Sequence, residues 1–175
     1  TVVSSVKGSK FGIISFKGDA VVSVPITEDT LAIESYLGSV SSHIITTPGT
    51  NQEKAIKLAL KSFSGNHFNK RVILLISDGE ALDGDVFTQA TDSVNSETPI
   101  YSITAGTQRG ANIKIVDDYV KNSQGKVVIS RSDPEQFKNL SDLTYGKHYM
   151  LQESQVISAV TKEILGMQQN LSGDG

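Results

Sequence analysis

The chain has 175 residues, with 16 lysines and arginines against 19 aspartates and glutamates, a formal charge of -3, and no cysteine. That length is most simply one domain burying about 70% of its unfolded surface, which needs no disulfide or metal staple. The charge balance and the lack of a basic stripe disfavour a nucleic-acid partner, the cysteine count excludes thiol catalysis and Cys-type zinc sites, and no apolar run is long enough to span a bilayer.

Thr1 starts neither a signal peptide nor a chain with methionine, so the sequence is expected to be a piece of something longer. Thr1 to Lys10 reads as a short strand or a helix end, the helix end being favoured, with Gly8 as a break. FGIISF (Phe11 to Phe16) and AVVSV (Ala20 to Val24) predict two strands joined by Lys17-Gly18-Asp19, with Pro25 closing the second. Asp29 to Val40 repeats apolar residues at Ile33, Tyr36, Leu37 and Val40, one face of a helix. A polar loop, Ser41 to Thr50, leads to the clearest helix, Asn51 to Phe63. Ile56, Ala59, Leu60 and Phe63 form its stripe, and Thr50 with Glu53 fits a capping box.

After a break at Ser64-Gly65-Asn66 comes RVILLISDGE (Arg71 to Glu80). Five apolar residues, Val72 to Ile76, run into Ser77, Asp78 and Gly79, as in a central parallel strand buried on both faces. An acidic loop, Asp78 to Asp85, then a helix to about Ser96 and a strand, IYSITA (Ile100 to Ala105), complete the crossover unit of a parallel sheet. Ile113 to Val120 and Lys126 to Ser130, flanking Asn122 to Gly125, predict a hairpin or an excursion outside that sheet. Asp133-Pro134 starts a helix with Phe137, Leu140 and Leu143 inward and Gly146 at its end. KHYML (Lys147 to Leu151) reads as a last strand. Ser154 to Leu165 is a closing helix with Val156, Ile157, Val160 and Ile164 on one stripe. The domain is expected to span residues 1–167, with 168–175 a flexible tail or linker.

No nucleophile elbow, phosphate loop or dinucleotide fingerprint occurs, and His43, His67 and His148 lack partners at metal-ligand spacing. What remains is oxygen chemistry beyond the carboxyl ends of strands, where open α/β sheets bind ligands. Asp78 brings a charge, Thr50 a hydroxyl, and Ser77 and Glu80 further oxygen, the donor type that hard cations such as magnesium select. The plainer readings are a polar turn at Asp78-Gly79 and a helix cap at Thr50.

Five segments carry a resemblance: Gly12 to Phe16, Pro25-Ile26-Thr27, Gly49-Thr50, Leu74 to Glu80, and Ile100 to Thr107. Their order and spacing resemble a von Willebrand factor A (VWA) domain over the chain up to Leu165. Gly106-Thr107 with Gly110-Ala111, the hairpin around Gly125, and the helix and strand from Asp133 to Leu151 are similar to the bacterial aerotolerance (Bat) group. The resemblance implies a doubly wound, mostly parallel α/β sheet flanked by helices, Rossmann-like in class. It also implies a non-enzymatic, adhesion or scaffold-type interaction module. Members are typically anchored in the inner membrane, which makes this a soluble domain of an anchored bacterial protein. They are often encoded beside a MoxR-type AAA+ ATPase, a candidate link to the protein partner.

The family's metal-ion-dependent adhesion site uses an Asp-x-Ser-x-Ser loop after the first strand, a threonine and a later aspartate. Thr50 and Asp78 match the last two; the loop has no match, since Asp92 to Ser96 has Val94 at its middle position and lies in a predicted helix. The first, central strand would lie before Thr1. The implied site is therefore incomplete: magnesium belongs to the intact family site, and none is expected to be bound by this chain. The partner face is expected at Thr50, Asp78, Gly79, Glu80, Gly106 and Thr107. The slot left by the strand is expected to be closed by direct pairing, by Thr1 to Val6, or by another molecule, self-association included. Two alternatives stand beside this: a metal-assisted hydrolase using Asp78 with Glu80, Asp83 or Asp85, and a structural fragment without a working site.

Overall fold

The computed structural model describes residues 2–40, 50–64, 70–78, 86–105, 111–112, 114–115, 118–119, 129–130 and 134–169. The first turn of chain is helical, α1 (Val2–Ser5), in line with the helix end expected there. An antiparallel hairpin follows, β1 (Phe11–Phe16) and β2 (Ala20–Thr27). The second strand does not stop at Pro25. The pairing slips between Phe11 and Ile13 and again between Ile13 and Ile14, so the proline sits at an irregularity where no ladder bond is demanded of it.

Helix α2 (Thr30–Ser39) starts under Asp29, whose carboxylate accepts the Ala32 amide at 3.0 Å. Of its expected inward face only Ile33 is buried; Leu37 and Val40 are exposed, while the Tyr36 hydroxyl reaches Ser15 Oγ at 2.9 Å. Helix α3 (Gln52–Phe63) buries Ile56 and rests Ala59, Leu60 and Phe63 on the core as its periodicity predicted. Its cap is Asn51, whose side chain accepts the Lys54 amide at 2.9 Å, not a Thr50–Glu53 box. Asparagine caps better than threonine, and the register moves by one residue to use it.

The main sheet is parallel and ordered β3 (Ile73–Ser77), β4 (Ile100–Thr104), β9 (His148–Met150). Helix α4 (Val86–Asn95) crosses between the first two, and their register pairs Ile73 with Ile100 through Ser77 with Thr104. The central, wholly buried strand is thus β4. Among the described residues β3 pairs on one side only, and Ile76 is 54% exposed, so the expectation of a strand buried on both faces is corrected. Ile73 and Leu75 face the packed core, whereas Ile76 lies on the opposite face with Leu74, which the packed layer covers only in part.

Between β4 and the next helix lie four two-residue strands: β5 (Ala111–Asn112), β6 (Lys114–Ile115), β7 (Asp118–Tyr119) and β8 (Ile129–Ser130). They pair β5 with β8 and β6 with β7, outside the main sheet as expected. Helix α5 (Pro134–Leu143) buries Phe137 and Leu140, but Leu143 is exposed. Its exit uses Tyr145 in the left-handed region, φ 61, and Gly146 for space: a β-carbon there would lie 2.0 Å from the Ile100 carbonyl oxygen. Helix α6 (Val156–Gln169) runs past the expected Leu165; Val156 and Val160 are buried and Ile157 is exposed.

Strand alternation divides the core. Ile73, Leu75 and Ile100 meet Ile56, Ala90, Phe137 and Leu140, with Phe16 packed against them, whereas Ile103 meets Val156 and Val160 with Leu74, Tyr149 and Ile164 alongside. Each fully buried side chain of this size contributes about 1.5–3 kcal/mol, so Phe137, Leu140, Ile100, Ile103 and Val160 dominate the packing. The polar loop at 41–49, the break at 65–66, the acidic loop at 79–85, the turn at 122–125 and the tail at 170–175 lie outside the described residues.

Candidate functional site

The carboxyl ends of β3 and β4 finish together at Ser77 and Thr104. Asp78 follows with its side chain exposed, and the Ser77 hydroxyl donates to its carboxylate at 3.4 Å. The Ala105 amide donates to the Ser77 carbonyl at 2.8 Å, which fixes where the two chains leave the sheet. Helix α3 shares a core cluster with β3, through Ile56 against Ile73 and Leu75, and Thr50 and Asn51 precede its first turn.

The start of α3 is tied to the hairpin. The Asn51 amide donates to the Lys17 carbonyl at 2.7 Å. Lys54 Nζ reaches the Gly18 carbonyl at 3.2 Å and the Asp19 carboxylate at 3.3 Å. The Ala20 amide, then Lys54, hold the Asp19 carboxyl below the usual carboxylate range. With Asn51 supplying the cap, the Thr50 hydroxyl is not required for it, and Thr50 is half-buried.

Of the expected site residues, Thr50 directly precedes the cap of α3 and Asp78 directly follows β3, while Gly79, Glu80, Gly106 and Thr107 lie outside the described residues, as do Asp83 and Asp85. Asn51 and Gln52, which follow Thr50, and Thr104, which pairs with Ser77, are buried polar residues that the sequence does not single out. Thr104 Oγ1 has no hydrogen-bond partner among the described residues. Its in-register position beside Ser77 is the signal that points to it. The string Asp92 to Ser96 lies at the end of α4, with Ser93 buried and donating to the Thr98 carbonyl, a structural role.

Among the described residues the donor set here is one carboxylate with hydroxyls, and no three His, Cys, Asp or Glu side chains are grouped to hold a metal. Magnesium requires near-octahedral oxygen ligation, usually with one or two carboxylates and several waters. Asp78 with Thr50 and Ser77 does not by itself fit a protein-held magnesium.

A family model described as von Willebrand factor type A domain matches residues 1–80. Over almost the whole chain the fold is similar to that of BatB from Bacteroides thetaiotaomicron, at 27% identity and a TM-score of 0.87, covering 96% of this chain and 83% of that one. The first 80 residues match a von Willebrand factor type A domain, and the fold of nearly the whole chain is similar to that of Bat-type proteins. An aerotolerance-related membrane protein from Bacteroides fragilis, carrying multiple mutations to serines, is similar to this chain at 28% identity. Its TM-score is 0.81, with 94% of this chain and 81% of that one covered. A von Willebrand factor type A protein from Catenulispora acidiphila, at 11% identity and a TM-score of 0.67, shares the fold over 93% of this chain and 34% of its own. The two Bacteroides structures make the similarity one of the Bat type. No curated protein sequence matches the chain. Among the described residues no helix is long and apolar enough to cross a membrane.

Proposed function

We propose that this chain is a VWA domain acting as a non-enzymatic protein-interaction module whose partner docks at the carboxyl ends of β3 and β4. Asp78 and Thr50 are its central contacts, and Gly79, Glu80, Gly106 and Thr107 lie on the adjoining loops. The observation that carries the reading is the exposed Asp78 carboxylate at the carboxyl end of the parallel β3–β4 pair. A carboxylate in that position offers a partner either a direct charge-assisted hydrogen bond or part of a cation site. With the oxygen set of this chain alone, magnesium binding is expected to be weak or absent. The reading extends to a soluble domain of a membrane-anchored protein, supported by the description of the Bacteroides fragilis relative as a membrane protein.

The test compares immobilised wild type, Asp78→Ala and Thr50→Ala in quantitative capture from the native host's extract, with magnesium and with chelator. Proteins retained by the wild type and lost from both variants support the reading. Identical retention by all three sinks it. A rise of melting temperature with added magnesium would overturn the expectation for the metal.

A second reading is favoured by one observation: among the described residues β3 is an uncharged edge, ILLIS, with Ile76 half exposed, which is the type of edge that invites another strand. Association of two copies through this edge would appear as a concentration-dependent mass in solution; a monomer at every concentration would count against it.

A further inference from the structure

Three β4, α5 and β9 side chains form a buried polar cluster that the interaction face does not use. Ser102 Oγ lies 2.9 Å from His148 Nδ1, 2.7 Å from Ser141 Oγ, and 3.3 Å from the Phe137 carbonyl oxygen. Both serines are fully buried, and His148 Nε2 is buried with no hydrogen-bond partner among the described residues.

Proton counting fixes the arrangement. Ser102 has one hydroxyl proton and two lone pairs. The Phe137 carbonyl only accepts, so the Ser102 proton goes to it. Ser141 then donates to Ser102, and the third contact is made only if His148 carries its proton on Nδ1. All three bonds coexist in one state, neutral imidazole with Nδ1–H and a bare Nε2. We propose that His148 is a proton-operated latch, whose neutral form holds the edge strand β9 against β4 and α5 and whose protonation at Nε2 loosens that corner.

A second proton would put an N–H where no acceptor waits among the described residues, and a buried unmet donor carries its full desolvation cost. The charged groups facing the ring are Lys138 and Asp142 on α5 and Glu153 after β9. Asp142 is engaged by Lys138 at 3.0 Å, and Glu153 accepts the Met150 amide at 2.9 Å, so neither is committed to Nε2. Burial outweighs the pull of Glu153 and Asp142 and sets the His148 imidazole below its usual range. The unfolded chain therefore takes up the proton more readily, and the native fold loses stability as pH falls from the ordinary value of 6.5 toward the lowered one. Strand β9 is only three residues long and at the sheet edge, and Tyr149 beside His148 packs with the α6 residues Val156 and Val160. Loosening would thus reach α6.

The experiment is imidazole nitrogen NMR on a His43→Gln, His67→Gln variant, in which His148 is the remaining histidine, with amide exchange followed across the same pH range. The expected result is an Nδ1–H tautomer at neutral pH and a titration midpoint below 6.5. Acid should also speed intrinsic-rate-corrected exchange in β9 and α6 beyond that in α3. His148→Asn keeps a donor near Nδ1 without titrating, and it should abolish that difference. An Nε2–H tautomer, a midpoint at or above 6.5, or equal acceleration in α3 would overturn the latch. Should His148→Asn fail to fold, the tautomer and midpoint still decide.

Discussion

Replacing Gly146 by alanine tests how tightly the end of α5 is pressed onto the central strand. Gly146 donates its amide to the Ser141 carbonyl at 2.8 Å, and a β-carbon on it would sit 2.0 Å from the Ile100 oxygen, 2.6 Å from the Ile100 carbon and 3.2 Å from the Tyr101 nitrogen. These are backbone atoms of β4, buried throughout, so no side chain can swing aside. The two chains would have to part by about 1 Å or more, and overpacking of this kind costs about 1–3 kcal/mol, with rigid backbone as the obstacle placing it at the upper end. For a domain of this size a loss of about 3 kcal/mol lowers the melting temperature by roughly 6–12 °C. Thermal and urea unfolding followed by circular dichroism measure it. Gly38→Ala is the control: it lies in α2 with nothing within 4 Å of its added carbon, and should gain about 0.5–1 kcal/mol. Gly146→Ala within about 0.5 kcal/mol of the wild type would refute the close-approach argument.

Thr144→Val should cost about 1–3 kcal/mol, because it strips the buried Ile100 amide of its acceptor, the Thr144 hydroxyl at 3.1 Å; a urea midpoint equal to the wild type would contradict this. Asn51→Ala should lose about 0.5–2 kcal/mol with the cap of α3, whereas Thr50→Ala should leave the melting curve nearly unchanged. The reverse order would return the cap to Thr50. Ile76→Lys places a charge on the exposed edge of β3, so light scattering should show less association while the melting temperature stays within the range of a surface change. Unchanged association would remove β3 from consideration.

Periodicity made the helices and strands legible, since the alternation of FGIISF and the stripe from Ile56 to Phe63 follow from local geometry alone. What it did not convey was which neighbours exist. Five apolar residues before Asp78 look the same in an inner strand and in an edge strand, so β3 was placed at the centre and β4 holds it instead. For the same reason Leu37, Leu143 and Ile157 continue apolar stripes yet are exposed: the packed element covers part of a helix face, and the stripe's edge lies beyond it. At the candidate site Asp78 and Thr50 were readable because strand ends and helix starts are marked by residue type. Thr104, and the contacts joining Ser102, Ser141 and His148, arise from register and from packing between distant segments, which no local pattern encodes.

The central claim is that partners meet the domain at the carboxyl ends of β3 and β4, and site-specific photocrosslinking tests it most directly. A photoreactive side chain placed at Asp78 or Thr50 should form a crosslinked species with the captured partner, whereas one at exposed Leu31 on α2 or Glu135 on α5 should form none. Crosslinks from Leu31 or Glu135 with none from Asp78 and Thr50 would contradict the account.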